Sequence, residues 1–320
     1  MSDLPAKPCV YAVVVTYLPD IWVLHELLVA LAAQVACVQI VDNTPQADAR
    51  VPALLDELAL GNTHLLRLGE NLGIARALND GAASAITMGA THVLLSDQDS
   101  LPTPDMVAGL LRAERELTAK GVHVGAVGPT FTDGHTGITF PFQVDVPGKF
   151  FYGHARTSAE WPLVEALTLI TSGCLIPAAV WAAVGPMRED FFIDHVDIEW
   201  SHRARAAGFK LYGTAWATMA HRMGDAQLRV WYFGWHRESA YSLLRVYYRM
   251  RNFVALCKQG NVPARWKLRN SIYWIKFVYA HVVFGSDKLQ AMRMVLRGLW
   301  DGFCGRMGRY PDNQLTRGKP

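Results

Sequence analysis

The stretch LLSDQDSLP, residues 94–102, places two aspartates directly after an apolar run. The apolar run predicts a buried strand, and the polar residues mark the point where that strand ends. Because side chains alternate with period two along extended backbone, we expect Asp97 and Asp99 to lie on the same side. Two neighbouring carboxylates repel each other unless they share a divalent cation, which prefers hard oxygen ligands. An ordinary surface turn is the alternative, since Asp is a common turn residue.

Further segments of the first 131 residues have the composition of buried strands. Continuous apolar runs predict strands at 10–17, 37–43, 64–68, 92–97 and 124–131, and helical periodicity predicts helices at 20–35 and 74–89. This alternation favours an α/β fold with a parallel sheet that helices cover on both faces. In such sheets ligands bind at the carboxyl ends of the strands.

Polar, acceptor-rich residues follow the predicted strands. In chain order they are Thr16 and Tyr17, Asp42 and Asn43, residues 69–71, and Asp97 with Asp99. Each group alone fits ordinary loop chemistry, but their shared place at one edge of a sheet predicts a nucleotide pocket. The chain has neither GxGxxG after the first strand nor GxxxxGK[ST], so neither a dinucleotide fold nor a P-loop is indicated.

Charge divides the chain into an acidic and a basic part. Residues 1–200 hold 10 Lys and Arg against 23 Asp and Glu, whereas residues 201–320 hold 21 against 5. A basic part of this kind is typical of contact with nucleic acid, an anionic membrane surface or a phosphate-bearing ligand. After residue 225, aromatic residues interleave with Arg and Lys, which predicts amphipathic helices lying on a membrane interface. The alternative is a helical subdomain whose apolar stripes pack on the main domain.

Composition excludes several other classes of protein. The 320 residues, 51% of them hydrophobic, suffice for one large domain or two smaller ones. No run of 18 uncharged apolar residues occurs, so a spanning helix is not expected. The N-terminal apolar run is too short for a signal peptide and favours a strand. The five widely spaced cysteines include no CxxC pair, which predicts reduced thiols in a cytosol and no structural zinc.

Several motifs make the chain resemble family 2 glycosyltransferases with the A-type glycosyltransferase fold. They are VVTYLPD (14–20), VDNT (41–44), GENLGIARALNDG (69–81), SDQDS (96–100), TSGCLI (171–176), FFIDHVDIEWSHRARAAGF (191–209) and AHRMGD (220–225). The forms DQDS and IDHVDIEW, with LLRVYYRMRN at 243–252, look most like bacterial rhamnosyltransferases. That subgroup uses dTDP-L-rhamnose to build O-antigen and related surface polysaccharides. The resemblance implies a Rossmann-like catalytic domain over 1–225 and a basic, aromatic helical region over 226–320.

The resemblance also assigns the residues that contact the nucleotide base. Thr16 and Tyr17, at the end of the first strand, would touch the base, and Asp42 would accept the imide N–H of a pyrimidine. The alternative for Asp42 is a turn cap with Asn43 and Thr44.

The resemblance implies further contacts to the ribose and phosphates. Asn71, Gly73 and Arg76 match a segment that packs around the nucleotide, where Gly73 would allow close backbone approach and Arg76 would meet a phosphate. The alternative for Arg76 is an exposed helical charge. Asp97 would lie near the ribose, and Asp99 would bind Mg²⁺ or Mn²⁺.

Two motifs after residue 170 complete the implied site. His221, in AHRMGD, matches a histidine that closes over the metal or the diphosphate, and Asp225 would orient it. Ser172 and Gly173, in TSGCLI, would line the acceptor side near the sugar. A structural role is the alternative for the histidine.

Asp197 is the residue that the resemblance assigns as general base. It would take a proton from the acceptor hydroxyl as that oxygen attacks the anomeric carbon and inverts it. Family members more often have Glu-Asp-x-Asp here, whereas this chain has Val196 for the first acid and Glu199 for the last. Glu199 is expected on the acceptor side. The alternative is that it forms an i,i+4 ion pair with Arg203.

The sequence thus predicts an inverting, metal-dependent rhamnosyltransferase on the inner face of a bacterial cytoplasmic membrane. Its acceptor would be a saccharide or a polyprenyl-diphosphate-linked acceptor, and no nucleic acid is expected as a partner. A UDP-sugar donor stays open, because UDP and dTDP present the same imide edge. A nucleotidyltransferase would need a Gly-rich basic loop after the first strand, where VTYLPD has neither Gly nor Lys or Arg. A nucleic-acid-binding protein would leave Asp97, Asp99 and Asp197 without a role.

Overall fold

The computed structural model of the chain describes residues 7–46, 49–133, 138–221 and 226–311. The strands are β1 (Val10–Thr16), β2 (Cys37–Asp42), β3 (Thr63–Arg67), β4 (His92–Asp97), β5 (Ser100–Pro102), β6 (Val124–Asp133), β7 (Phe142–Val144), β8 (Gly153–Ala155), β9 (Leu163–Ala166), β10 (Cys174–Pro177), β11 (Lys210–His221), β12 (Ala226–Trp231) and β13 (Trp235–Ala240). The helices are α1 (Ile21–Ala32), α2 (Arg50–Leu58), α3 (Ile74–Thr87), α4 (Met106–Ala119), α5 (Ala178–Val184), α6 (Val196–Ala206), α7 (Leu243–Lys258), α8 (Ala264–Phe284) and α9 (Lys288–Cys304), and a 3₁₀ turn lies at Glu189–Phe191.

The core of the molecule is a nine-stranded sheet in the order β3-β2-β1-β4-β10-β6-β11-β5, with β9 paired to β11. Strands β1 to β4 are parallel, as the alternating strands and helices predict. The sheet also contains β5, β9 and β10, which the sequence did not predict, and each is antiparallel to the strand it pairs with. These strands have at most four residues and lack the helical crossover that parallel neighbours need.

Helices cover both faces of this sheet, as predicted. Along β1, Val13 and Val15 enter the cluster that includes α3, α5 and α6, whereas Ala12 and Val14 enter the cluster under α1 and α4. This alternation follows from the period of two in a strand. Because helices bury both faces of the sheet, a ligand can reach it at the carboxyl ends of the parallel strands.

The chain after residue 225 starts with the hairpin β12–β13 and continues with α7, α8 and α9. Gly298 and Gly302 let α9 approach α7 closely, because a Cβ there would lie 2.5 Å from the carbonyl oxygen of Tyr247 and 2.7 Å from that of Arg251. Apolar residues of α7 and α8 belong to the same buried cluster as one face of the sheet. The helices therefore pack on the main domain with one side, and a division at residue 225 stays a prediction.

None of the helices in the described part of the chain combines the length and the apolar composition needed to cross a membrane.

Candidate active site

The end of β4 is tied to the segment before β10. The N–H of Asp97 donates to Ser172 Oγ at 3.2 Å, and the hydroxyls of Ser100 and Ser172 are hydrogen-bonded. The N–H of Gly173 donates to the carbonyl oxygen of Leu95 at 2.8 Å. The predicted carboxylates and the predicted acceptor-side residues therefore lie together.

Gln98, between the two aspartates, joins β4 to the end of β1. Its Oε1 accepts from the N–H of Tyr17 at 2.7 Å, and its Nε2 donates to the carbonyl oxygen of Tyr17 at 3.2 Å. The two bonds hold the backbone of Tyr17 beside the Asp-x-Asp motif, with the tyrosine ring exposed. The sequence pattern did not predict this role for Gln98, although the residue stands within the quoted motif.

Asp42, at the end of β2, is buried under its own turn. Its Oδ1 accepts from the hydroxyl of Thr16 at 3.2 Å and from the N–H of Thr44 at 3.1 Å. Thr16 and Asp42 are also register partners in β1 and β2. The turn cap considered as the alternative for Asp42 is therefore present, and its contact with a base stays a prediction.

The segment before α3 is built around Asn71 and Gly73. Asn71 Oδ1 accepts from the N–H of Gly73 at 3.0 Å and from Asn43 Nδ2 at 3.1 Å. Gly73 has a φ of 89°, and a Cβ there would lie 2.6 Å from the carbonyl oxygen of Phe192. A glycine is thus required both by the backbone conformation and by the close approach of a second chain segment.

Arg76 lies on the first turns of α3, half-exposed. Its guanidinium binds Asp80 at 2.8 Å and reaches Glu189 at 3.5 Å. The hydrogen bond to Asp80, the charge of that carboxylate and the charge of Glu189 raise the pKa of Arg76. This is the exposed helical charge of the alternative interpretation, and the phosphate contact stays a prediction.

Asp197 stands in the first turn of α6 and is half-buried. Burial raises the pKa of Asp197 to about 6; the charges of Asp97 and Asp194 act in the same direction, and a hydrogen bond from the N–H of Ile198 opposes them. Burial, followed by the charge of Asp197, raises the pKa of the Cys174 thiol to about 12. The site therefore holds a carboxylate that can exchange a proton near neutral pH and a thiol that stays protonated.

The loop before Asp197 has an unusual backbone. Phe192, Asp194 and His195 have φ values of 65°, 62° and 63°, a region that residues other than glycine rarely adopt. The buried carboxylate of Asp194 binds Arg245 at 2.7 Å and Arg249 at 3.2 Å. Although burial opposes ionisation, these two arginines hold the pKa of Asp194 below its usual range.

Two buried residues of α7, Arg251 and Asn252, hold the same loop through its backbone. Arg251 Nη2 donates to the carbonyl oxygens of Asp190 at 3.1 Å and Phe191 at 2.9 Å. Asn252 Nδ2 donates to three carbonyl oxygens, those of Phe191 (3.0 Å), Ile193 (2.8 Å) and Asp194 (2.9 Å). A strained loop persists only where its surroundings over-determine it, and α7 supplies these contacts.

The remaining predicted residues fall into two groups. Glu199 is buried and binds Arg203 at 2.9 Å, as its alternative interpretation predicts, and its acceptor role stays a prediction. The backbone of His221 pairs with Ser100, next to Asp99, but its side chain lies outside the described residues, as does Asp225.

Within the described ranges, no group of three or more His, Cys, Asp or Glu side chains is arranged to hold a metal ion.

Comparison of the sequence with known proteins identifies relatives along most of the chain. No family model matches. The chain is 29% identical over 301 residues to the dTDP-rhamnosyl transferase RfbF of Shigella flexneri. The aligned residues make up 93% of this chain and 97% of that protein. It is also 29% identical over 218 residues to an uncharacterised protein of Mycobacterium tuberculosis, 67% of this chain and 73% of the relative.

Two solved glycosyltransferase structures have a similar architecture. Staphylococcus aureus TarS matches with a TM-score of 0.53 and 14% identity, over 95% of this chain and 50% of TarS. GalNAc-T7, solved with UDP, GalNAc and Mn²⁺, matches with a TM-score of 0.51 and 13% identity, over 67% of this chain and 43% of that one. The chain thus spans half or less of these proteins, and the likeness shows the fold alone. With the predicted resemblance confirmed, the chain is a glycosyltransferase of the A-type fold, similar to a bacterial dTDP-rhamnosyltransferase along nearly its whole length.

Proposed function

We propose that the chain is an inverting, metal-dependent rhamnosyltransferase that moves L-rhamnose from dTDP-L-rhamnose to a hydroxyl of a saccharide. The observation that supports this most directly is Asp197: burial, with the charge of nearby Asp97 at the end of β4, raises the pKa of its carboxyl to about 6. The choice of rhamnose rests on the similarity to RfbF along 93% of the chain. The relatives favour glycosyl transfer over the nucleotidyl transfer considered above.

Asp197 would act as the general base. Its carboxylate accepts the proton of the acceptor hydroxyl, the acceptor oxygen forms a bond to the anomeric carbon, and the bond from that carbon to the diphosphate breaks. Attack from the face opposite the leaving group inverts the anomeric carbon. A pKa of about 6 suits this role, because the group is ionised at neutral pH and still basic enough to take the proton.

Asp99 and His221 would hold Mg²⁺ or Mn²⁺ with the diphosphate, and Asp97 would lie near the ribose. The chemistry of these side chains fits a divalent cation, which takes carboxylate oxygens as ligands, and the charge of Asp97, which raises the pKa of Asp197, shows that negative charge gathers at this end of β4. The backbone of His221 pairs with Ser100 at the same edge of the sheet, which supports the proposal of His221 as a ligand. When bound, the cation supplies positive charge that stabilises the leaving diphosphate.

The nucleotide would lie across the ends of β1, β2 and β4. In this proposal Thr16, Tyr17 and Asp42 receive the base, and Asn71 and Gly73 frame the ribose and phosphates. Arg76 would reach a phosphate only by leaving its pair with Asp80. A UDP-sugar is the second candidate donor, because the imide edge that Asp42 would read is common to both bases.

The acceptor would be a lipid-linked saccharide at the inner face of the cytoplasmic membrane, in surface polysaccharide synthesis. The region after residue 225 would bind that surface, and it is strongly basic. Exposed apolar side chains recur every three or four residues along α8 and α9, which places them on one outward stripe of each helix. They are Leu268, Ile272, Ile275, Tyr279, Val283, Leu289, Met292, Leu296, Trp300 and Phe303.

Calorimetric titration of the full chain tests the donor. We expect dTDP-L-rhamnose to bind only with Mg²⁺ or Mn²⁺, and UDP-glucose, UDP-galactose and UDP-N-acetylglucosamine to bind much more weakly. Preferential metal-dependent binding of a UDP-sugar would overturn the rhamnosyl assignment and keep the mechanism. Equal binding of dTDP-L-rhamnose with and without metal would overturn the proposed role of the cation.

A further inference from the structure

The hairpin β12–β13 exposes a cluster of aromatic side chains at its tip. Phe233 is 99% exposed, Trp231 47% and Trp235 58%. Trp231 and Trp235 are register partners, and the ring of Phe233 lies 5.8 Å from that of Trp231. We call these three residues the hairpin tip. A contiguous group of large apolar side chains in water is typical of a surface that binds a partner.

The backbone of Phe233 indicates that folding alone does not explain this residue. Phe233 has a φ of 55°, in the left-handed region where glycine and asparagine are favoured and a bulky side chain is an outlier. An aromatic residue here gains no burial within the chain and is disfavoured by its own backbone. A gain outside the chain, through contact with another apolar phase, explains both properties.

The hairpin tip is continuous with the exposed stripe of α8. Tyr232 Oη donates to the carbonyl oxygen of Lys276 at 3.2 Å, and the rings of Trp235 and Phe284 are 6.3 Å apart. Tyr279, a member of the stripe, donates to the carbonyl oxygen of Trp231 at 3.4 Å. The hairpin is thereby fixed beside the outward residues of α8, including Ile275, which is 70% exposed.

Three basic side chains lie next to this apolar surface, together with Glu238 of the same hairpin. Arg229 and Arg237 are paired across the hairpin, and the guanidinium of Arg229 lies 4.4 Å from the ring centre of Trp235. Lys276 lies near the ring of Tyr232 at 6.0 Å. Aromatic residues at the depth of lipid headgroups, with arginine and lysine next to them, are the pattern of proteins that bind anionic bilayers.

We propose that the hairpin tip inserts into an anionic lipid bilayer and that the stripe of α8 lies on the same bilayer. Phe233 enters the acyl boundary, Trp231 and Trp235 lie at headgroup depth, and Arg229 and Arg237 contact lipid phosphates. This inference rests on the proposed function, because a lipid-linked acceptor requires the enzyme to reach a membrane. The charge of the C-terminal region alone does not indicate which element enters the bilayer, whereas the exposed aromatic residues of the hairpin do.

Cosedimentation of the full chain with vesicles tests the proposal. The vesicles are phosphatidylglycerol with phosphatidylethanolamine, compared with phosphatidylcholine alone. The variant is Phe233→Asn, because asparagine suits the left-handed backbone and removes the apolar ring. The matched control is Trp161→Asn, at an exposed aromatic residue outside the hairpin.

We expect the wild type and Trp161→Asn to bind the anionic vesicles, and Phe233→Asn to bind about tenfold more weakly, from the apolar area lost. If the wild type binds and Phe233→Asn binds equally well, insertion of the tip is overturned while membrane association stands. If the wild type binds neither vesicle, membrane association and this inference both fail, and donor binding still tests the transferase. Sedimentation velocity tests whether a second copy of the chain, and not a bilayer, binds the hairpin tip. If the wild type is a dimer that does not bind vesicles, and Phe233→Asn makes it monomeric, the proposal is overturned.

Discussion

The carbonyl oxygen of Phe192 accepts a hydrogen bond from the N–H of Ile74 at 2.7 Å, directly beside Gly73. Ile74 begins α3 on the proposed donor side, and Phe192 belongs to the loop that leads to Asp197. One backbone contact thus joins the nucleotide segment to the segment of the proposed base. A change at Gly73 is therefore expected to disturb both.

Gly73→Ala should weaken donor binding and lower stability. The new Cβ would lie 2.6 Å from the carbonyl oxygen of Phe192 at a φ of 89°, so the backbone of one segment must move. We expect a loss of at least about 1 kcal/mol in the free energy of unfolding, with weaker binding of dTDP-L-rhamnose. The control is Gly69→Ala, which has a φ of 75° but open space around its Cβ. Equal effects of the two substitutions on donor binding would contradict the importance of the contact.

Asp197→Asn should abolish transfer and leave donor affinity nearly unchanged. The amide keeps the size of the side chain but cannot accept the acceptor proton, and loss of a general base costs about 10²- to 10⁴-fold in rate. Steady-state kinetics with dTDP-L-rhamnose, together with calorimetry, separates the two quantities. A variant that transfers at the wild-type rate would exclude Asp197 as the base.

Activity should rise with pH through the pKa of Asp197. The pKa is raised to about 6, so the carboxyl is protonated and inactive as a base below that value. We expect kcat/KM to fall about tenfold per pH unit below pH 6 and to level off above it. Donor binding measured over the same range controls for loss of the substrate complex. Because the pKa of Asp197 is raised to about 6, a kcat/KM that stays constant between pH 5 and 8 would contradict the role of Asp197 as the general base.

Asp99→Ala should remove the metal dependence of donor binding. Without one of its oxygen ligands the cation is held more weakly, and the diphosphate loses the charge that binds it. Calorimetry with and without Mn²⁺ measures the difference. The control is Asp105→Ala, an exposed carboxylate at the start of α4. If Mn²⁺ strengthens donor binding equally in both variants, Asp99 is not a ligand.

Asn252→Ala should reduce kcat more than it changes donor affinity. Three backbone carbonyls of the loop before Asp197 lose their shared donor, so the loop can leave its strained conformation. The unfolding free energy should fall by about 1–3 kcal/mol. Asn270→Ala is the control, because Asn270 is also buried but donates to Trp266 within its own helix. For Asn270→Ala we expect a similar loss of unfolding free energy but full activity. Equal kcat values in the two variants would show that Asn252 affects folding alone.

The parts of the fold that follow from local pattern were predictable, and those that depend on contacts between distant segments were not. Strands β1 to β4 are apolar runs, and the position of Asp97 and Asp99 after the end of β4 could be predicted from the sequence. The antiparallel β10 has only four residues, too few for a periodic signal. Gln98 and Asn252 act by hydrogen bonds to backbone far along the chain. Such bonds depend on three-dimensional placement, and residue type alone does not reveal them.

The hydrogen bonds from Arg251 and Asn252 of α7 to the loop before Asp197 limit how relatives of this enzyme can diverge. A C-terminal region that supplies buried hydrogen-bond donors to the catalytic domain cannot be exchanged as a cassette, because a foreign helix would leave carbonyl groups of that loop unsatisfied. Recombination near residue 225, the predicted boundary, should therefore yield inactive chimeras unless the inner face of α7 is inherited together with the loop. Among the described residues, the exposed stripes of α8 and α9 donate no hydrogen bond to that loop, and the substitutions that adapt the enzyme to new surroundings are expected to accumulate there.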